Sequence, residues 1–268
     1  MTRAIAAAVL VTAAWLAALP AAAEEKPRFC PNSPSLQSSS CTTEPGHVQV
    51  EVTAIDWELD RDAGTRTDTF LAADTLVRVG IGAKTEVQFD WTPYGVVRER
   101  DGDTGEITRR GRVGDLTFAV RQNVRHVDGK GLSFGFQPYV TLPVGRAPVG
   151  SGTWSAGLIA PANYHFNDTV SLGGTAEIDA QADEDGRGRH VAASGVAAMA
   201  FKVGQMTFTA ETQITRDDDP AGATTQWVGG LGMLAKVSKR RAFYAEAVTG
   251  LNRDAPDVRL YCGIAMLF

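Results

Sequence analysis

Along MTFTAETQIT, residues 206–215, the side chains divide into two incompatible sets. Met206, Phe208, Ala210, Thr212 and Ile214 fall on one face of an extended backbone, and Thr207, Thr209, Glu211 and Gln213 on the other. Residues 170–181 repeat the division, with Val170, Leu172, Ala176 and Ile178 opposed to Ser171, Thr175, Glu177, Asp179 and Gln181. Past the N-terminus, helical spacing at i, i+3 and i+4 is hard to find. Each such strand needs an apolar medium on one side and a polar one on the other.

The alternation predicts about twelve strands, near 48–58, 69–80, 85–97, 113–124, 132–142, 154–166, 170–181, 191–203, 205–215, 226–236, 241–251 and 257–268. Most reach the ~9–11 residues a tilted strand needs to cross a bilayer. Their connections alternate in length. Those at 81–84, 125–131, 167–169, Gly204 and 237–240 are short, whereas 59–68, 98–112, 143–153, 182–190, 216–225 and the briefer 252–256 are mostly longer and charged. Short turns on one rim and longer loops on the other are the plan of an outer-membrane barrel. A secreted β sandwich also alternates, but its strands run nearer ~5–6 residues. Trp57, Trp91, Tyr94, Trp154, Tyr164, Phe166, Trp227, Phe243 and Phe268 lie mostly near strand ends, where amphipathic rings favour the headgroup zone. The expectation is an all-β, antiparallel transmembrane outer-membrane β-barrel over residues 47–268, acting as a monomer. A net charge of −5 gives no support to nucleic-acid binding.

The start of the chain reads differently. A basic start at 1–3, an apolar stretch at 4–19 and the small residues of PAAA at 20–23 predict a signal peptide over 1–23 and export to the Gram-negative outer membrane. Residues 24–46 are Pro- and Ser-rich without alternation. There Cys30 and Cys41 flank PNSPSLQSSS, and in an oxidising compartment two nearby cysteines predict a disulfide. His47 is the only nearby histidine, which disfavours a metal site. The stapled segment has two places to go, beneath the barrel or inside it as a plug.

VGDLTFAVRQNV at 113–124, FGFQPYVTLPVGRAPVGSGTW at 134–154 and the strand pair around LNRDAPDV, ending at Phe268, resemble the outer-membrane family named for the meta-pathway of phenol degradation. The resemblance covers most of 48–268. It implies an exported barrel for uptake or efflux of small compounds, aromatic ones among them. It also implies that Phe268, on a terminal aromatic strand, belongs to the signal read by the outer-membrane assembly machinery.

If Phe268 faces lipid, period two turns Tyr261 and Arg259 inward. The same rule on other strands places Glu51, Asp74, Glu86, Asp90, Asp115, Glu177, Asp179, Glu211 and Glu246 in the lumen, against Arg78, Arg121 and Lys202. Such a net-acidic lining would favour cations; alternatively, the charges pair with one another and fill the interior. A barrel of about twelve strands lies between filled and open cases. The leading function is passage of small solutes, with no cofactor. A structural or adhesive barrel with a plugged lumen is the rival from another class. A lipid hydrolase ranks lower and no enzyme is expected, because His190 and Ser194 share a face at a distance, with no acid to orient the ring. In the loops ADEDGRGRH (182–190) and RDDDPAG (216–222), Asp183, Asp185, Asp217, Asp218 and Asp219 are candidate Ca²⁺ ligands, although the full calcium loop is missing. The alternative is a solvated acidic rim whose Arg187, Arg189 and Arg216 meet lipopolysaccharide phosphates. Cys262 falls on the lipid face as a small hydrophobe.

Overall fold

The computed structural model describes residues 27–62, 64–128, 131–184 and 186–268. The signal-peptide expectation for 1–23, and Asp185, lie outside the described residues. The strands are β1 (Val48–Asp62), β2 (Thr65–Gly82), β3 (Thr85–Trp91), β4 (Tyr94–Asp101), β5 (Ile107–Arg112), β6 (Leu116–Arg125) and β7 (Leu132–Leu142). The series continues with β8 (Ser155–His165), β9 (Val170–Ala182), β10 (Arg189–Val203), β11 (Met206–Asp217), β12 (Thr224–Ser238), β13 (Arg241–Gly250) and β14 (Val258–Leu267).

Two pairs of these strands are halves of single staves. The lower part of β2 pairs with β3 and its upper part with β4, while β6 continues the ladder from β3 and β5 from β4. Fourteen strands therefore form a closed antiparallel barrel of twelve staves. The break after Trp91 falls at Thr92-Pro93, because proline has no N–H to give to a central ladder. Gly114 N donates to Thr92 O across the break at 2.8 Å.

Closure runs between β1 and β14, where Val50 faces Met266 and Val52 faces Ile264. Beyond the ladder, Val48 and Phe268 exchange backbone hydrogen bonds of 3.2 and 2.8 Å. Among the described residues the ladder closes into a ring through β3 and β6, as a membrane requires of strands in its apolar core.

The outer face carries the large apolar side chains, Phe89, Phe118, Leu158, Ile178, Met199, Leu231 and Phe243 among them, all solvent-exposed in the bare chain. Among the described residues, no apolar interior of comparable size matches them. The buried apolar cluster is a small one, Phe29, Ala242, Ala265 and Leu267 with Leu234, at the short-turn end. The short turns are tight: Val203 pairs directly with Met206 across Gly204, whose φ of +61° favours glycine.

The long side departs from expectation. Segments 59–68 and 98–112, read as loops, are mostly strand: Asp62 pairs with Thr65, Asp68 with Arg98 and Glu99 with Thr108. Above the bilayer both faces meet water, so alternation disappears while the backbone ladder continues. A pattern that detects strands by their two unlike faces cannot see these extensions.

Candidate functional site

Residues 27–46 contain no strand or helix and lie inside the barrel, in the half nearest the short turns. Cys30 and Cys41 are joined by a disulfide of 2.04 Å. The plug is anchored mainly to inward-facing wall side chains, with Arg28 Nη2 also donating to Ala83 O in the turn after β2. Glu51 accepts Asn32 N at 2.9 Å and Ser33 N at 2.8 Å; Glu86 accepts Thr43 N at 2.6 Å. Arg78 donates Nη1 to Cys30 O at 2.7 Å and Nη2 to Cys41 O at 2.8 Å, so a single guanidinium grips both carbonyls of the cystine. Asn123 Nδ2 donates to Ser40 O, Thr175 Oγ1 accepts Ser38 N, and Asn163 Oδ1 accepts Ser40 N. These carbonyls and amides belong to no secondary structure, and wall side chains satisfy them instead.

The charges beneath form one network. Arg78 lies 3.0 Å from Glu86 and 3.3 Å from Glu51, and Arg121 Nη1 is 3.4 Å from Glu86. The side chains of Arg78, Arg121 and Glu86 are fully buried. Space for the plug comes from small inward residues. A Cβ on Gly80 would sit 1.9 Å from Glu44 O, and one on Gly173 would sit 1.8 Å from Gln37 Oε1.

The predicted lumen residues thus separate into three groups. Glu51, Arg78, Glu86, Arg121 and Glu211 face inward but hold the plug; Glu211 accepts Ser35 Oγ at 2.7 Å and Leu36 N at 2.9 Å. Asp74, Asp90, Glu177, Asp179, Glu246, Arg259 and Tyr261 line the wall elsewhere. Thr92 Oγ1 donates to Asp74 at 2.6 Å, Tyr139 OH donates to Glu177 at 2.7 Å, and Tyr261 OH donates to Glu246. Asp115 forms the third group. It lies in the gap between β5 and β6 and accepts Gly145 N at 2.8 Å and Ser151 N at 2.6 Å, so it ties down an outer loop.

Sequence reasoning missed Asp56 and Glu58. β1 carries a bulge between Thr53 and Ile55 in its register with β14, which shifts the phase and turns Asp56 inward. There Asp56 meets Arg259 Nε at 3.0 Å. It also missed the uncharged partners Gln49, Asn123, Ser133 and Tyr244, for which an inward polar residue on an alternating strand was the available signal.

Two cavities flank the plug. One of about 390 Å³ is lined by Pro34, Ser35 and Gln37 together with Asn163, His165 and Lys236. The other, about 160 Å³, is lined by Leu36, Glu58, Gln213, Gln226 and Arg259. Residues 34–36 therefore stand between an inner and an outer chamber.

At the outer rim the acidic loops do not form an open cage. Asp183, Asp217 and Asp219 surround His190, while Asp218 turns to Arg216 Nε at 2.7 Å. Arg189 stacks over Trp154 and donates to Thr153 Oγ1 at 2.8 Å. Arg189 and Arg216, expected to meet lipopolysaccharide, are thus engaged within the rim.

The sequence matches the family described as "Putative MetA-pathway of phenol degradation" over residues 31–268. No curated protein matches it. Among solved structures, the fold is similar to the transport unit of the autotransporter AIDA-I from Escherichia coli, at 8% identity over 90% of this chain and 92% of that one, with a TM-score of 0.54. It is also similar to the KdgM porin in complex with disordered oligogalacturonate, at 9% identity over 80% of this chain and 98% of that one, with a TM-score of 0.50. At such identities the likeness is one of fold.

Proposed function

This chain belongs to the phenol-degradation family just described, and on that premise we propose that it is an outer-membrane channel for small solutes, hydroxylated aromatic compounds among them, gated by its own N-terminal segment. The observation that carries the reading is the septum: a few plug residues, 34–36, separate the two chambers, and Glu211 latches two of them. Ser35 and Leu36 are held there through hydrogen bonds to one carboxylate, and water can replace those bonds if the segment shifts.

The wall beyond the outer chamber carries more carboxylates than cations. Asp74, Asp90, Glu177, Asp179 and Glu246 stand against Arg259, which is already paired with Asp56. Fixed carboxylates in a narrow aqueous passage favour cations and uncharged solutes over anions. The reading is non-enzymatic. Ser194 lies four residues along β10 from His190, roughly 13 Å at the strand rise, and the carboxylates of two loops surround that ring.

The rival is a structural barrel whose lumen stays shut, and the buried Arg78 network favours it. Planar-bilayer recording separates the two. The full chain should show small or infrequent conductance steps, deletion of residues 24–44 should enlarge them several-fold, and Glu211→Gln should raise the open fraction. Absence of steps from both the full chain and the deletion would overturn the channel and favour the structural barrel.

A further inference from the structure

His190 is the second residue of β10, and its neighbours come from two loops. Asp183 follows the end of β9, Asp217 ends β11, and Asp219 lies in the turn beyond. The chain brings them together by stitching those loops: Glu184 N donates to Asp219 Oδ2 at 2.8 Å, and Asp218 N donates to Val191 O at 3.3 Å. Three carboxylates then approach one imidazole. Nδ1 shares a hydrogen bond of 3.0 Å with Asp183 Oδ1, which an ion bound there would replace, and lies 3.4 Å from Asp219 Oδ2, while Nε2 is 2.6 Å from Asp217 Oδ1.

The ring is built in. Only 5% of its side chain is exposed, and Nε2, despite its closeness to Asp217, makes no hydrogen bond as placed. A neutral imidazole here would direct a lone pair at carboxylate oxygens, which is repulsive unless a cation lies between. Asp219 is fixed in place by two backbone amides, Ala221 N donating to Oδ1 at 2.7 Å and Glu184 N to Oδ2 at 2.8 Å.

We propose that this rim cluster is a binding site for a divalent transition metal of the zinc type, held by Nδ1 of His190, Asp183 and Asp219, with Asp217 on the far ring nitrogen. Bonds of about 2.0–2.1 Å at tetrahedral angles put ligand atoms roughly 3.3–3.4 Å apart, and the separations of 3.0 and 3.4 Å around Nδ1 need only a small adjustment to reach that. Asp217 Oδ1, 2.6 Å from Nε2 but not aligned for a hydrogen bond, needs a small turn of the ring to become the outer carboxylate that a metal-bound histidine usually has. The imidazole also changes which ion fits. Ca²⁺ selects oxygen ligands alone, whereas one nitrogen with two carboxylates suits zinc and its neighbours. The all-aspartate calcium site expected from the sequence is replaced by a smaller mixed one, since Asp218 faces Arg216. Bound there, the ion would fasten the β9–β10 loop to the β11–β12 loop at the lumen mouth. The inference is independent of whether the lumen conducts.

The test is calorimetric titration of the full chain, folded in detergent and cleared by a chelator, with zinc chloride and separately with calcium chloride near neutral pH. One zinc per chain is expected, with no comparable calcium heat. His190→Gln and Asp219→Asn should abolish binding, Asp217→Asn should weaken it about 10–100-fold, and Asp218→Asn should leave it unchanged. Heat-modifiable gel migration checks that each barrel is folded; Asp219→Asn, in a loop outside the wall, keeps the test readable if His190→Gln fails to assemble. An imidazolium held by carboxylates alone predicts no zinc binding at all. That result, zinc binding insensitive to His190→Gln and Asp219→Asn, or tighter binding of calcium than of zinc would overturn the proposal.

Discussion

Arg78 does more than any other side chain to join wall and plug. It pairs with two wall carboxylates and donates to both cystine carbonyls, with no exposure to solvent. Arg78→Met leaves Glu51 and Glu86 short of a partner in a dry site, a loss on the order of 3–5 kcal/mol for a buried pair. The expected outcome is a lower urea midpoint together with faster reduction of the Cys30–Cys41 disulfide; an unchanged reduction rate would count against the clamp. The upper lumen carboxylates act differently, since Glu177 is held by Tyr139 and touches no plug residue in that bond. Changing Glu177→Gln and Asp179→Asn together should lower cation preference, read as a smaller reversal potential in a salt gradient, with little change in conductance of the plug-deleted barrel.

At the scale of single strands, two features decide which side chains meet lipid. The bulge in β1 resets its phase after Thr53, so deletion of Ala54 would send Asp56 toward the bilayer and break its pair with Arg259. Poor assembly is expected, seen as loss of the heat-modifiable band. Leu231, at the middle of β12, is 69% exposed on the outer face. Leu231→Arg there should destabilise the barrel by about 2–4 kcal/mol, whereas the same change at an inward position would not. β2 shows the converse constraint. Gly80 passes so close to Glu44 O that Gly80→Val must displace the chain leading out of the plug, which should raise conductance without touching a charged lumen residue.

For the whole molecule, wall and plug are separable by design of their contacts. The wall closes through β1 and β14 by backbone hydrogen bonds that involve no plug residue, so reducing Cys30–Cys41 should loosen the septum while the barrel keeps its strands. Far-ultraviolet circular dichroism should stay constant as conductance rises; a fall in strand signal would show that wall and plug are one cooperative unit. The barrel itself was legible in the residues. Alternation in strands such as β11 needs two unlike media, and the lengths of the connections sort the two rims, so strand number, membrane and inward faces follow from local chemistry. Most inward charges were legible for the same reason, because period two depends on the backbone alone. Tertiary structure decided the rest. A bulge adds one residue and inverts the phase, which is why Asp56 was hidden; a strand wet on both faces has no pattern to read, which hid the outer hairpins. Above all, Pro- and Ser-rich residues 27–46 have no periodicity of their own. Their place inside the lumen depends on Glu51, Arg78, Glu86 and Glu211, partners that only closure of the barrel brings around them.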